Sequence, residues 1–244
     1  MYINDINIIY YTLIAIFGGF IGQFINYCNF VFLKEERILS KKNFKEYTHI
    51  VRPSYALIFV TAISYIALLY KFGATDIVKL CMYMCLIPMF LSAFVVDYKI
   101  QIIPNRLNLT MFEIGLIFVF LYGMTNLSIS IDMLLGSLTG GGIFLLITLI
   151  GGLIAGKEAM GFGDVKLMGA LGLYFGVAST IAISIMAFLI GAIVSIALMI
   201  IKRNKMNSYI PFGPFIVTSA IISIFVPFEI LFTVLMKIFS LGLY

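Results

Sequence analysis

The sequence predicts an all-α, polytopic membrane protein of about eight transmembrane helices. Hydrophobic residues fill 62% of the 244 positions and charged residues 11%, with a mean hydropathy of +1.12. A soluble domain carries roughly a quarter charged residues. The apolar residues fall in runs that approach or exceed the roughly 20 residues needed to cross a bilayer. Most Lys and Arg are confined to a few short segments between those runs, as in a chain threaded back and forth through a membrane.

In chain order the runs predict helices near 8–33, 54–71, 77–97, 106–123, 131–155, 165–176, 178–201 and 210–243. The first lacks the basic residues that open a cleaved signal peptide and runs on to Leu33, so it reads as a retained helix. The third closes on Asp97. Pro104 then sits in a short connection, where it fixes φ for the first turn of the fourth helix. The stretch 165–201 is too long for one span, and "GLYFGVAS", residues 172–179, is the place for it to turn. The last run is broken at Pro227 and holds one or two passes. Small-residue pairs four apart, Gly18/Gly22, Gly136/Gly140 and Gly172/Gly176, fit close helix packing in lipid.

The charges orient the chain. Segment 34–53 holds six Lys and Arg; with 98–106, 156–166 and 202–206 it accounts for thirteen of the sixteen. Counted across alternate helices, these segments fall on one side, which the positive-inside rule makes cytoplasmic. The net charge of +5 is thereby explained by topology, and no nucleic-acid partner is expected. The chain reads as an N-terminal helix and short basic loop, 1–53, followed by a membrane domain, 54–244. The loop reads most simply as a topology determinant, and the alternative reading is a grip on substrate or anionic lipid.

Asp97 and Asp164 both fall at the cytoplasmic edge of the apolar runs, where an ionisable group is costly and marks function. Two neighbouring carboxylates that share a proton can activate water: one takes a proton from it, the other supports the oxyanion and the leaving amine. Asp164 at a helix N-terminus is favoured as the base, and Asp97 at a helix C-terminus as the acid. Gly161 and Gly163 clear Cβ atoms from around Asp164 and permit non-helical backbone there. Lys166, two residues on, points away from Asp164 and reads as an anchor at the interface, with a supporting role at the site as its other reading. Glu113, mid-helix in the fourth span, is a candidate substrate or support residue. Lys157 and Glu158 adjoin the motif. The single His and the absence of a G-x-S-x-G pattern leave little for other hydrolytic routes. Cys28, Cys81 and Cys85 are too few for a disulfide framework; Cys81 and Cys85, one turn apart, read as buried free thiols rather than metal ligands. No metal is expected.

"KEAMGFGDVKLMGALG", residues 157–172, resembles the GxGD motif of the type IV prepilin leader peptidases, a family of membrane aspartic peptidases. "DYKIQIIP" from Asp97 to Pro104, followed by "NRLNL", resembles the family's first-aspartate motif. "YIPFGPFI", 209–216, resembles its late Pro-Phe-Gly-Pro element, and "GGFIGQFINY" a worn version of its glycine-rich segment, with Phe24 and Asn26 as the Phe-x-Asn. The resemblance implies the GxGD peptidase fold, Asp97 and Asp164 as the catalytic pair, and a multi-pass enzyme of the bacterial plasma membrane. It implies removal of short basic leaders from prepilins or pseudopilins at the cytoplasmic face. Many members carry two CxxC pairs in the first cytoplasmic loop and methylate the new N-terminus with S-adenosylmethionine. Segment 34–53 has no cysteine, so that zinc site is missing, and S-adenosylmethionine is implied only if methyl transfer is retained; the peptidase reaction needs no cofactor. Two other readings stand beside this one: another GxGD peptidase, of preflagellin or signal-peptide-peptidase type, and a proton-coupled transporter, for which the inverted repeats are not apparent.

Overall fold

The computed structural model describes the chain except for residues 1, 4–5, 35–40, 74, 156–159, 202–209 and 240–244. Lys157, Glu158 and the basic residues of 202–206 therefore lie outside the described residues, as does part of the loop 34–53. A two-residue antiparallel ladder, β1 (Tyr2–Ile3) with β2 (Ile6–Asn7), precedes nine helices among the described residues. They are α1 (Ile8–Leu33), α2 (Lys41–Ile50), α3 (Tyr55–Phe72), α4 (Ile77–Ile100), α5 (Asn105–Gly123), α6 (Leu127–Ala155), α7 (Phe162–Ile200), α8 (Gly213–Phe225) and α9 (Phe228–Phe239). Six of them, α1 and α3 to α7, are long and apolar enough to cross a membrane. The chain is an all-α polytopic membrane protein.

The helices form two compact units, Met1–Ile100 and Gln101–Tyr244. In the first, α1 lies against α3 at Gly18 and Gly22. A Cβ on Gly18 would stand 2.9 Å from the Ala62 backbone, and one on Gly22 2.7 Å from the Leu57 carbonyl. Backbones approach this closely only when the interface residues are small. α4 carries an interior proline, Pro88, which cannot donate to the Met84 carbonyl one turn back. The Tyr65 hydroxyl of α3 donates to that carbonyl instead, at 2.7 Å. Ser92 of α4 donates to Asn29 of α1 at 2.5 Å, a polar pair buried between apolar helices.

α2 is the element that hydropathy did not anticipate. Its sequence, "KKNFKEYTHI", is polar, and it docks on α1 through one aromatic face. Tyr47 packs edge-on to Tyr27 at 5.2 Å, and its hydroxyl accepts from Gln23 Nε2 at 2.7 Å and Asn26 Nδ2 at 3.0 Å. Asn26 also donates to the Arg52 carbonyl, so the Asn of the Phe-x-Asn pair fastens the segment after α1 at two points. Burial pushes the Tyr47 hydroxyl above its ordinary pKa, partly offset by the two amide donors. Cys81 and Cys85 are free thiols on the exposed surface of α4, not buried as expected.

In the second unit α6 and α7 meet backbone to backbone. A Cβ on Gly136 would lie 2.5 Å from the Gly172 carbonyl, and one on Gly140 2.5 Å from that of Met168. α7 is interrupted at Gly176, whose φ of 71° is left-handed. This is the turn expected in "GLYFGVAS"; the chain changes direction at one residue rather than through a loop. Asp132 of α6 caps the second arm, accepting from the Val177 amide at 3.2 Å. α5 packs on α7 where Gly115 faces Leu173, and Tyr174 donates to the Met111 carbonyl at 2.7 Å. The Pro-Phe-Gly-Pro element starts α8: Phe212 packs on Phe188 at 5.0 Å and Phe144 at 6.1 Å, with Gly213 and Pro214 buried.

Candidate active site

Among the described residues, each unit holds one buried acid. In the first, α4 runs on to Ile100, three residues past the expected end, so Asp97 occupies its last turn, 4% exposed. A carboxylate here meets the negative end of the helix dipole. Gln101, just beyond, takes a φ of 56°, the left-handed conformation that only a constrained non-glycine residue adopts.

In the second unit Pro104 is the N-cap of α5, and its carbonyl accepts from the amides of Leu107 and Asn108 at 3.0 and 3.3 Å. α7 starts with Gly161 as N-cap and Asp164 in its first turn, 5% exposed, with its amide bonded to the Gly161 carbonyl at 3.0 Å. Asp164 therefore meets the positive end of a helix dipole. Neither glycine of the motif uses glycine's conformational freedom. Gly161 has φ −67° and ψ 136°, which any residue adopts, and Gly163 is helical. Gly163 supplies space, and the space is taken: a Cβ there would stand 3.3 Å from the Ile103 side chain.

The unit gathers further polar groups around this helix start. Asn108, 3% exposed, donates through Nδ2 to the Gly163 carbonyl at 3.1 Å, and its buried Oδ1 accepts no hydrogen bond from the described residues. Lys166 Nζ donates to Asn105 Oδ1 at 2.7 Å and lies 5.4 Å from the Phe162 ring. Glu113 stands apart, exposed on α5. Between α5 and α7 runs a groove of about 400 Å³, lined by Asn105, Asn108, Leu109, Phe112, Lys166, Gly169 and Ala170. Asn108 was not singled out from sequence. An asparagine three residues into an apolar helix was the available signal, and its partner lies 55 residues downstream.

Buried acids in the first or last turn of a helix suit proton transfer, and the described residues hold no group of three His, Cys, Asp or Glu able to take a metal. Residues 84–196 match the model of the type IV leader peptidase family. Among curated relatives, a prepilin leader peptidase/N-methyltransferase of Aeromonas hydrophila is 31% identical over 121 residues, which is 50% of this chain and 41% of that protein. Proteins of the same name from Escherichia coli (strain K12) and Legionella pneumophila are 29% and 30% identical, covering 59% and 64% of this chain and 61% and 53% of theirs. The chain thus spans about half the length of the curated relatives it matches. No solved structure matches. The matched stretch contains Asp97, Pro104, Asn108, Gly161, Gly163, Asp164 and Lys166, and over it the chain is similar to the type IV leader peptidase family.

Proposed function

We propose that the chain is an aspartic endopeptidase of the bacterial plasma membrane that removes the short basic leader from type IV prepilins or pseudopilins. Its domain 54–244 does the chemistry at the cytoplasmic face, and 1–53 supplies the first helix and basic loop. The observation that carries the reading is that the matched stretch holds two acids, each more than nine-tenths buried and each in a terminal turn of a helix.

Asp164, at the positive end of α7, is the carboxylate that takes a proton from water as the oxygen attacks the scissile amide carbonyl. Asp97, at the negative end of α4, holds the proton, supports the oxyanion and gives the proton to the leaving amine. One water and one amide become a carboxyl and an amine, with no covalent intermediate. The two acids titrate as a coupled unit. Gly161 is the N-cap of α7, Gly163 leaves room for Ile103, and Pro104 is the N-cap of α5. The relatives' names include N-methyltransferase. The groove between α5 and α7 is lined mainly by apolar surface with Lys166 at its polar end, and that cation repels a sulfonium, so the groove is a poor seat for S-adenosylmethionine.

Co-expression with a prepilin tests the reading. The intact chain yields a shortened product, and Asp97→Asn or Asp164→Asn each lowers the rate by about a thousandfold or more. Cleavage at the wild-type rate in either variant would sink the pair. Mass spectrometry of the new N-terminus, with and without S-adenosylmethionine, settles methylation.

A further inference from the structure

We propose that α2 lies in the membrane surface and holds anionic phospholipid, its basic face on the headgroup phosphates and Phe44 in the acyl boundary beneath them. The inference goes beyond the peptidase reading and stands on the unit Met1–Ile100 alone.

The depth of α2 follows from the helices beside it. α1 and α3 run antiparallel: Gly18 faces Ala62, and Gly22 faces Leu57 and Ile58. The start of α3, Tyr55, therefore stands level with residues 24–25 of α1. At 18 residues α3 is about 27 Å long, just the thickness of the hydrocarbon layer. Its start marks the hydrocarbon edge, and the exposed Tyr55 and Phe24 stand there as aromatic residues do at a membrane interface. Residues 25–33 of α1 run on past that edge for roughly 13 Å. Tyr47 of α2 is seated on this projecting part, at Asn26, Tyr27 and Phe30. α2 is thus folded back against the end of α1 at headgroup depth.

α2 turns one face to α1 and the opposite face outward. Asn43 and Tyr47, one turn apart, are buried. By helical spacing Lys41, Lys42, Lys45 and His49 fall within an arc of about 100° opposite them. Glu46 is the only acid of the helix, and it is paired with Lys34, so it does not neutralise that arc. Phe44 lies on the flank between the two faces. It is 60% exposed on a polar helix, and its ring packs edge-on to Tyr27 at 5.8 Å, which in turn lies 6.5 Å from Phe24. Phe44 thus carries the exposed aromatic surface of α1 onto α2. An exposed ring flanked by lysines at this depth is the pattern of a helix lying in the interface. Charge picks the occupant. A basic arc attracts an anionic headgroup layer, by about fivefold in partition for each lysine. The same arc repels a basic leader, so of the two roles open to segment 34–53, the hold on lipid is the one this face fits.

The test uses the full chain in vesicles of phosphatidylcholine with phosphatidylglycerol as a minor component. The chain has no tryptophan, so Phe44→Trp carries a single fluorophore. Bromine high on the acyl chains, a contact quencher, is placed on one lipid or the other, with the overall composition and the brominated fraction kept the same. The expected result is quenching by both, at least about threefold stronger per brominated lipid when the bromine is on phosphatidylglycerol. Lys41→Gln, Lys42→Gln and Lys45→Gln together bring that ratio close to one. Raising salt from about 0.1 M to about 1 M does the same with the lysines intact, since the screening length falls from about 10 Å to about 3 Å. Thr48→Trp, exposed one turn further along α2, repeats the measurement if Phe44→Trp does not fold. Absence of quenching by either lipid puts α2 in water and overturns the proposal, as does equal quenching by both. A prepilin-type peptide that lowers the phosphatidylglycerol signal to the phosphatidylcholine level gives the face to substrate and also overturns it. Cleavage plays no part in the readout, so failure here leaves the peptidase reading standing, and failure of that reading leaves this one.

Discussion

The hydroxyl of Tyr65 donates to the carbonyl of Met84 at 2.7 Å, taking the place of the amide that Pro88 lacks. A backbone carbonyl without a partner is expensive in hydrocarbon. Tyr65→Phe should therefore lower stability by about 1–3 kcal/mol in reversible SDS unfolding. Pro88→Ala restores the helical donor, so adding it to Tyr65→Phe should recover most of the loss. Additive losses in the double variant would contradict the coupling.

Gly176 and Asp132 form a second coupled pair. Gly176→Ala forces a side chain into a left-handed backbone and against the Asp132 carboxylate, at a cost of about 2 kcal/mol or more. Asp132→Asn keeps an acceptor for the Val177 amide and should be close to neutral. Asp132→Ala loses a cap and should cost about 1 kcal/mol. Thermal unfolding in detergent gives the order; Asp132→Asn as damaging as Asp132→Ala would rule out the capping account.

The seam between α6 and α7 separates glycines that are needed from one that is not. Gly136→Ala drives a Cβ to 2.5 Å from the Gly172 carbonyl, whereas a Cβ on Gly142 meets nothing within 4 Å. Gly142→Ala should be neutral or stabilising by up to about 1 kcal/mol. Gly136→Ala should be clearly destabilising in the same assay.

Tyr47 gives the docking of α2 a pH dependence. Burial raises its hydroxyl above the ordinary value. The stability this contributes is complete below about pH 10, where the unfolded tyrosine is neutral, and is lost as pH rises through the higher folded value. The chain has no tryptophan. Phe44→Trp, exposed beside Tyr27, therefore gives a unique fluorophore on α2 whose anisotropy should fall above pH 10. Tyr47→Phe should remove that transition.

The long apolar runs were legible because lipid demands them, and the break in α7 because "GLYFGVAS" interrupts a run too long for one crossing. α2 was not legible by the same logic: its fixing contacts are Tyr47 with Gln23 and Asn26, more than twenty residues away, and hydropathy passes over a polar segment. Pro88 also vanished from view, since the Tyr65 hydroxyl that lets the helix continue comes from another element. At the site, Asp97 and Asp164 stood out as charges in apolar surroundings. Asn108 did not, because its meaning lies in a carbonyl reached only after folding. Gly163 was legible as a residue that must be small, but its neighbour Ile103 was not.

The glycine seam has a consequence for sequence change. Gly136 and Gly140 recur at four-residue intervals on α6, and Gly172 and Gly176 do the same on α7, each with backbone or a carboxylate where a Cβ would go. Outward-facing Leu138, Leu145, Leu149 and Leu153 on α6 meet only surroundings that any apolar residue satisfies. A saturation library across these helices would show a comb: single-solution positions every fourth residue, separated by positions where nearly every apolar substitution survives. Inserting one residue between Gly136 and Gly140 would throw the comb out of phase and should be more damaging than most substitutions between its teeth.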